Sequence, residues 1–290
     1  MPTPGLLLLV DLDGVLYRGA EPVPGVGALL AARAERGDDI VYVTNNSMWH
    51  RTDYVDRIAG MGAPVTAERI VSSPRATALY LRDREPAIDH VVTLGASGLD
   101  RELADAGFRV TRAAEAADRI RGDGVDGTNG GDGWEAAGRP GAVVMGLDPN
   151  IDYLRLTVAT DSVRAGARFI ATNRDPFYPT ERAIRPGAGA IVAAVEAATG
   201  VTAISIGKPA PYLLEEAARA VGRDASEAIM IGDGLRTDIA AAIAVGARSV
   251  LMLTGVSTRE DVDAAPPAER PSFVAGDAAE LGAILDRLSD

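Results

Sequence analysis

The chain of 290 residues contains no cysteine. Disulfides, thiol nucleophiles and every zinc site built on thiolate are therefore excluded. Only two histidines are present, His50 and His90, far apart in sequence, which removes HExxH metal sites and argues against a histidine-based triad. Positive charge is scarce: 29 Lys and Arg against 41 Asp and Glu give a formal net charge of −12. An acidic chain repels phosphodiester backbone, so general nucleic-acid binding is not expected. Long apolar runs are also lacking. The longest near the start, Leu6–Val10, stops at an acid after five residues. A membrane helix needs about 20 apolar residues, and a signal peptide needs a basic start and a longer apolar core. The expectation is a soluble, cytoplasmic protein without a membrane partner.

Lysine is the scarcest charge. Of the 29 basic residues, 28 are arginine and one is Lys208, in Gly207-Lys208-Pro209. Lysine is a compact point charge on a flexible stem, whereas arginine is a broad planar fork. One lysine must fall somewhere, but its place after an apolar run suggests a position that arginine cannot fill.

Short apolar runs alternate with amphipathic stretches along the whole length. The pattern predicts strands at Leu6–Val10, Ile40–Thr44, Ile70–Ser72, His90–Leu94, Ala142–Met145, Arg168–Thr172, Ala203–Ile206, Ala228–Ile231, Ser249–Leu253 and Ser272–Val274. Several are apolar without alternation, as in strands covered on both faces. Helical patterns lie between them, at Val26–Arg36, Ala210–Val221 and Leu235–Val245, the last ending at a capping glycine, Gly246. Such alternation implies an α/β fold with a mostly parallel sheet. The segment Arg121–Gly133 is rich in Asp and Gly, but it lacks the spacing and closing glutamate of a calcium loop and reads as an acidic surface loop. Asn45-Asn46-Ser47 fits a glycosylation sequon, read as a chance match without a secretory signal.

Four apolar runs stop at a polar residue: Leu6–Val10 before Asp11-Leu-Asp13-Gly14, Ile40–Val43 before Thr44-Asn45-Asn46-Ser47, Ile204–Ile206 before Gly207-Lys208-Pro209, and Ile229–Ile231 before Gly232-Asp233-Gly234, with Asp238 five residues on. In an open parallel sheet the carboxyl ends of the strands share one edge, where ligands bind. Parallel pairing would gather three aspartates, a threonine and the lysine there. Asp11, Asp13 and Asp233 are hard oxygen donors that repel one another without a cation, and magnesium suits them. Lys208 would offset further negative charge, Thr44 offers a hydroxyl, and the adjacent glycines let backbone amides approach phosphate. One carboxylate can then attack phosphorus while another moves the proton. Each piece alone has a plain structural explanation, as a turn or a helix cap. All four in order do not.

These residues resemble a known family. Asp11-Leu-Asp-Gly-Val-Leu-Tyr17, Thr44-Asn-Asn-Ser47, Gly207-Lys-Pro209 and Gly232-Asp-Gly-Leu-Arg-Thr-Asp238 are similar to the four signatures of the haloacid dehalogenase superfamily. More narrowly, they resemble its type IIA members, the NagD-like, p-nitrophenyl, phosphoglycolate and pyridoxal phosphate phosphatases. Phe169-Ile-Ala-Thr-Asn-Arg-Asp175 and Pro186-Gly-Ala-Gly-Ala190 recur in that subfamily. The resemblance implies a Rossmann-like parallel core with helices on both faces and an inserted α/β cap. It places the core at residues 1–79 plus 187–290 and the cap at 80–186.

It also implies roles. Asp11 would be the nucleophile and Asp13 the general acid and base. Thr44, with the amide of Asn45, would bind the phosphoryl group, with Asn46 and Tyr178 as further substrate contacts. Lys208 would offset charge on Asp11 and phosphate. Magnesium would be held by Asp11, Asp233 and the main-chain carbonyl of Asp13, with Asp238 orienting from behind. Asn173, Arg174, Asp175, Phe177 and Tyr178 read as a loop reaching from cap to core, or, for the two aromatics, as plain packing of the cap hinge. The implied activity is hydrolysis of a small phosphorylated metabolite through a phosphoaspartyl enzyme. A phosphotransferase or phosphomutase on the same scaffold is the alternative, and a phospho-accepting signalling module is disfavoured by length and by Asp13. Caps of this type often pair in relatives, so the resemblance allows a homodimer.

Overall fold

The structure is a computed structural model and describes residues 5–122, 132–179 and 183–289. Most of the Asp- and Gly-rich segment expected to be a surface loop lies outside the described residues. The strands in chain order are β1 (Leu7–Asp11), β2 (Tyr17–Arg18), β3 (Glu21–Pro22), β4 (Asp39–Thr44), β5 (Ile70–Ser72), β6 (His90–Leu94), β7 (Arg109–Arg112), β8 (Ala142–Met145), β9 (Arg168–Ala171), β10 (Phe177–Pro179), β11 (Ile184–Pro186), β12 (Ile204–Ser205), β13 (Ala228–Gly232), β14 (Arg248–Met252) and β15 (Phe273–Ala275). Two sheets carry the architecture. One runs β15-β14-β13-β1-β4-β5 and the other β12-β9-β8-β6-β7. Every pairing within them is parallel, whereas β2–β3 and β10–β11 form antiparallel hairpins. Among the described residues no helix is long and apolar enough to cross a membrane.

The lack of alternation in Leu7-Leu-Leu-Val10 has a direct cause. Helices Val26–Glu35 and Ala278–Ser289 contribute to the core that takes in Leu8 and Val10, while helix Tyr212–Arg219 packs on β1, β4 and β5. With both faces covered, all four residues are fully buried and each position must be apolar. The second sheet is built the same way. Val92, Leu94, Val143, Met145, Phe169 and Ala171 share a core with residues of helices Ala113–Gly122, Tyr153–Arg164 and Ala188–Thr199.

The described chain divides into two compact units, one of residues 1–44, 51–72 and 208–290, the other of 45–50 and 73–207. The second is wider than the 80–186 expected from sequence. Helix Ser73–Arg84 packs on helix Ser97–Asp105, and the two-residue strand β12 pairs with β9. This pairing corrects one step of the sequence argument. The apolar run before Lys208 belongs to the second sheet, not to the sheet that carries Asp11. Two residues of strand, both only half-buried, hold too little pattern to show which sheet they join. Strand β7 was not expected either, since Arg109 and Arg112 flank it and only Thr111 is buried; it is an edge strand.

One charged residue is built into the first core. Arg33 lies on the buried side of its helix, 2% exposed. Its guanidinium donates to Asp38 at 2.5 Å, to Asp286 at 2.9 Å and to the Ser289 hydroxyl at 2.5 Å. The other oxygen of Asp38 accepts the Leu6 N–H at 2.8 Å. One fork thus ties the first helix, the start of β1 and the C-terminal helix. Truncating one partner of such a buried pair strands the other. Arg33→Leu is expected to lower unfolding free energy by about 3 kcal/mol in urea titration. A loss below about 1 kcal/mol would show that Asp38 gains an equivalent partner.

Candidate active site

Of three adjacent strands of the first sheet, β13, β1 and β4, β1 and β4 end at Asp11 and Thr44, and Asp233 directly follows β13. Parallel register sets Asp11 opposite Val43 and the end of β13 opposite β14 at Gly232–Leu251. The carboxyl ends therefore present these polar residues along one edge. All three are buried, at 7%, 7% and 3% exposure.

Lys208 completes the group. Its ammonium donates to Asp11 Oδ1 at 2.7 Å and to Asp238 Oδ1 at 2.6 Å, and the residue is 2% exposed. Burial works against its charge, but Asp11 and Asp238 more than offset this and hold the lysine protonated. Asp238 lies in the helical turn Leu235–Ile239. Its second oxygen accepts from the Gly234 N–H at 2.9 Å and the Thr237 hydroxyl at 3.2 Å. Gly232 has no room for a side chain, because a Cβ there would lie 2.2 Å from the Cβ of Asp238.

Asp11, Asp233 and Asp238 each offer a carboxylate oxygen, and these atoms lie within 4.8 Å of one another. Three carboxylates stand beside one ammonium, which bonds to two of them, so the group carries excess negative charge in a dry setting. Burial raises the Asp11 carboxyl well above its ordinary value; Lys208 pulls it down, while Asp238 and Asp233 push it further up. Burial also lifts Asp233, with the charge of Asp238 adding to it, to about 7. Hard oxygen donors in this density fit a small divalent cation, which relieves their repulsion. Because both oxygens of Asp238 are engaged by donors, Asp11 and Asp233 are the better placed ligands.

Asp13 lies outside this carboxylate group. It is exposed, yet partial desolvation raises its carboxyl, with Arg57 and Lys208 opposing. The turn carrying it is tight: the Gly14 N–H donates to the Tyr17 carbonyl at 2.7 Å and the Leu12 carbonyl accepts from Leu16 at 2.9 Å. Gly14 has a φ of 80°, and a Cβ there would fall 2.1 Å from Asp233 Oδ2.

A loop not foreseen from sequence closes the other side of Asp233. A Cβ at Gly255 would lie 1.8 Å from Asp233 Oδ2, the Val256 N–H donates to that oxygen at 2.8 Å, and the Thr254 hydroxyl donates to the Gly14 carbonyl at 2.6 Å. Asp233 is gripped between two glycines. The signal was available: Thr254-Gly255 follows an apolar strand just as the other four polar turns do.

The remaining expected residues belong to the second unit. The Asn45 side chain donates to both oxygens of Asp175 at 3.3 Å. Asn46 Oδ1 accepts the Met48 N–H at 2.9 Å. Tyr178, on β10, packs half-buried against the second core, while Phe177 is 61% exposed. Of the two aromatics, Tyr178 is thus partly covered by the second core and Phe177 is open to solvent.

The raised value of Asp233 has a consequence for stability. A carboxyl at about 7 in the folded chain and near 4 when unfolded binds an extra proton in the native state between these limits. Its contribution is fully present below the lower value and is lost as pH rises through the upper one. In chelator, Asp233→Asn should gain melting temperature relative to the parent as pH goes from about 5 to about 8. A gap independent of pH would show that Asp233 titrates normally.

Comparison with known proteins gives the same picture. Residues 8–109 match the model for haloacid dehalogenase-like hydrolases and 205–281 that for HAD-hydrolase-like proteins. The acid sugar phosphatase of Staphylococcus aureus is 37% identical over 254 residues, 88% of each chain. The glycerol phosphate phosphatase of Mycobacterium tuberculosis, solved in complex with magnesium, superposes with a TM-score of 0.79 at 34% identity, covering 95% of this chain and 75% of its own. NagD of E. coli K-12 does so with a TM-score of 0.79 at 29% identity, covering 96% and 98%. With signatures and fold in agreement over nearly its whole length, the chain belongs to the haloacid dehalogenase-like hydrolases, among their type IIA, NagD-like phosphatases.

Proposed function

We propose that the protein is a magnesium-dependent phosphomonoesterase acting on a small phosphorylated sugar or polyol, through a phosphoaspartyl intermediate on Asp11. The observation that carries this reading is the buried ammonium of Lys208 shared between Asp11 and Asp238, beside Asp233. The substrate class follows from relatives whose names give sugar phosphate and glycerol phosphate hydrolysis, and the metal from the M. tuberculosis relative in complex with magnesium.

Magnesium, held by Asp11, Asp233 and the Asp13 carbonyl, would neutralise phosphoryl charge. In the first step an Asp11 carboxylate oxygen attacks phosphorus, the bond from phosphorus to the leaving oxygen breaks, and Asp13 gives that oxygen its proton. In the second step water attacks phosphorus, Asp13 takes the water proton, and the bond to Asp11 breaks, releasing inorganic phosphate. Partial desolvation raises the carboxyl of Asp13, the direction that favours holding the proton a general acid must give. Lys208 favours the ionised form of the nucleophile and offsets phosphate charge. Thr44 and the Asn45 amide receive the phosphoryl oxygens.

Turnover of p-nitrophenyl phosphate, followed after dialysis against chelator and metal addition, tests the reading. Activity is expected to vanish and return with magnesium, and Asp11→Asn to show none while melting as a folded protein. Asp13→Asn should lose more on an alkyl phosphate than on p-nitrophenyl phosphate, because the poorer leaving group depends on protonation. Equal losses on the two esters would remove Asp13 from that role.

Lys208→Arg tests the site from its centre. A guanidinium must fit where an ammonium makes contacts of 2.7 and 2.6 Å at 2% exposure. At least about a tenfold loss of kcat is expected, equivalent to roughly 1.4 kcal/mol of barrier. Parental turnover would show that any cation serves.

A further inference from the structure

We propose that Asp175 is a positioning residue for phosphoryl binding: it fixes the Asn45 side chain, and through it the orientation of the Asn45 main-chain N–H. The proposal rests on the reading of that N–H as part of the phosphoryl site.

Asn45 is held at its carbonyl and along its side chain. Its carbonyl oxygen accepts from the Ser73 hydroxyl at 2.7 Å and from Asn173 Nδ2 at 2.7 Å. Its Nδ2 donates to both oxygens of Asp175 at 3.3 Å. Its Oδ1 lies against Gly207, where a Cβ would come within 2.6 Å. The side chain is therefore a strut rather than a substrate probe. A peptide plane clamped at its carbonyl still rocks about the adjacent bonds, and a side chain fixed at its far end limits that rocking.

Asp175 is itself rigidly mounted. Its N–H donates to Asn173 Oδ1 at 3.1 Å, so the residue that grips the Asn45 carbonyl also orients the residue that grips its side chain. The Asp175 carbonyl accepts the Gly189 N–H at 3.0 Å, and a side chain at Gly187 would collide with that carbonyl at 2.2 Å. The neighbouring Arg174 forks onto Glu196 at 2.9 and 2.5 Å, and Glu196 also accepts the Ala203 N–H at 2.8 Å. Such backing is what a group needs in order to act on another by position.

Misplacement of a binding group by about an ångström can cost about a hundredfold; a loosened N–H should cost less. Asp175→Ala is expected to raise KM for p-nitrophenyl phosphate and the inhibition constant of inorganic phosphate by about tenfold each, with kcat changed less than about threefold. Melting temperature should change little. Asp175→Asn keeps an acceptor oxygen and should restore most of the loss. Asn45→Ala should match Asp175→Ala, and the double variant should be no worse than either. Additive losses, a silent Asp175→Ala, or losses that track melting temperature instead of KM would overturn the proposal. A parent protein that turns over p-nitrophenyl phosphate without competition from inorganic phosphate would overturn the underlying reading, independently of how the variants compare.

Discussion

A single ammonium shared by two buried carboxylates sets the terms for the rest of the site. Lys208 has water on almost no side, and the charges of Asp11 and Asp238 hold it protonated. Those two carboxylates lie within 4.8 Å of each other and of Asp233, so the charge of each acts strongly on its neighbours. The scarcity of lysine elsewhere becomes intelligible here: guanidinium serves every exposed pairing in this chain, and only this crowded position needs a compact cation.

Much of this was legible in the sequence for a physical reason. Strands covered on both faces must be apolar throughout, so Leu7–Val10 and Ala228–Ile231 stand out, and a polar residue that ends such a run is conspicuous. Asp11, Thr44 and Asp233 were found this way, as was the C-cap Gly246 with its φ of 72°. Lys208 was found by composition, although the strand expected to deliver it belongs to the other sheet. What stayed hidden depends on closeness between distant segments. Nothing local to Gly14 or Gly255 says that both lie against Asp233. Nothing in Asn173-Arg-Asp175 says that Asn45 is what they hold, since that contact spans 130 positions.

The segment 45–50 shows how irregular chain tolerates burial. It forms no strand or helix, yet its polar groups are matched. The Ser47 hydroxyl accepts the Leu147 N–H at 2.9 Å, and the Met48 carbonyl accepts the Gly98 N–H at 3.2 Å. Gly98 is itself pressed against the Trp49 backbone, where a Cβ would come within 2.4 Å. Buried main-chain groups without partners are costly, so these pairings fix the path of the chain as firmly as a ladder would. His50 ends the segment against Asp105, at 3.1 Å.

The interleaving of the two units also dictates an order of events on the ribosome. β1 precedes its neighbour β13 by about 220 residues. All five strands of the second sheet are synthesised before β13. At roughly 5–20 residues per second, β1 waits on the order of ten seconds or more with an apolar edge unpaired, while the inserted sheet has every strand it needs. The first sheet thus closes after the inserted one has all its strands, and β1 spends that interval with an unpaired edge of the kind that chaperones cover.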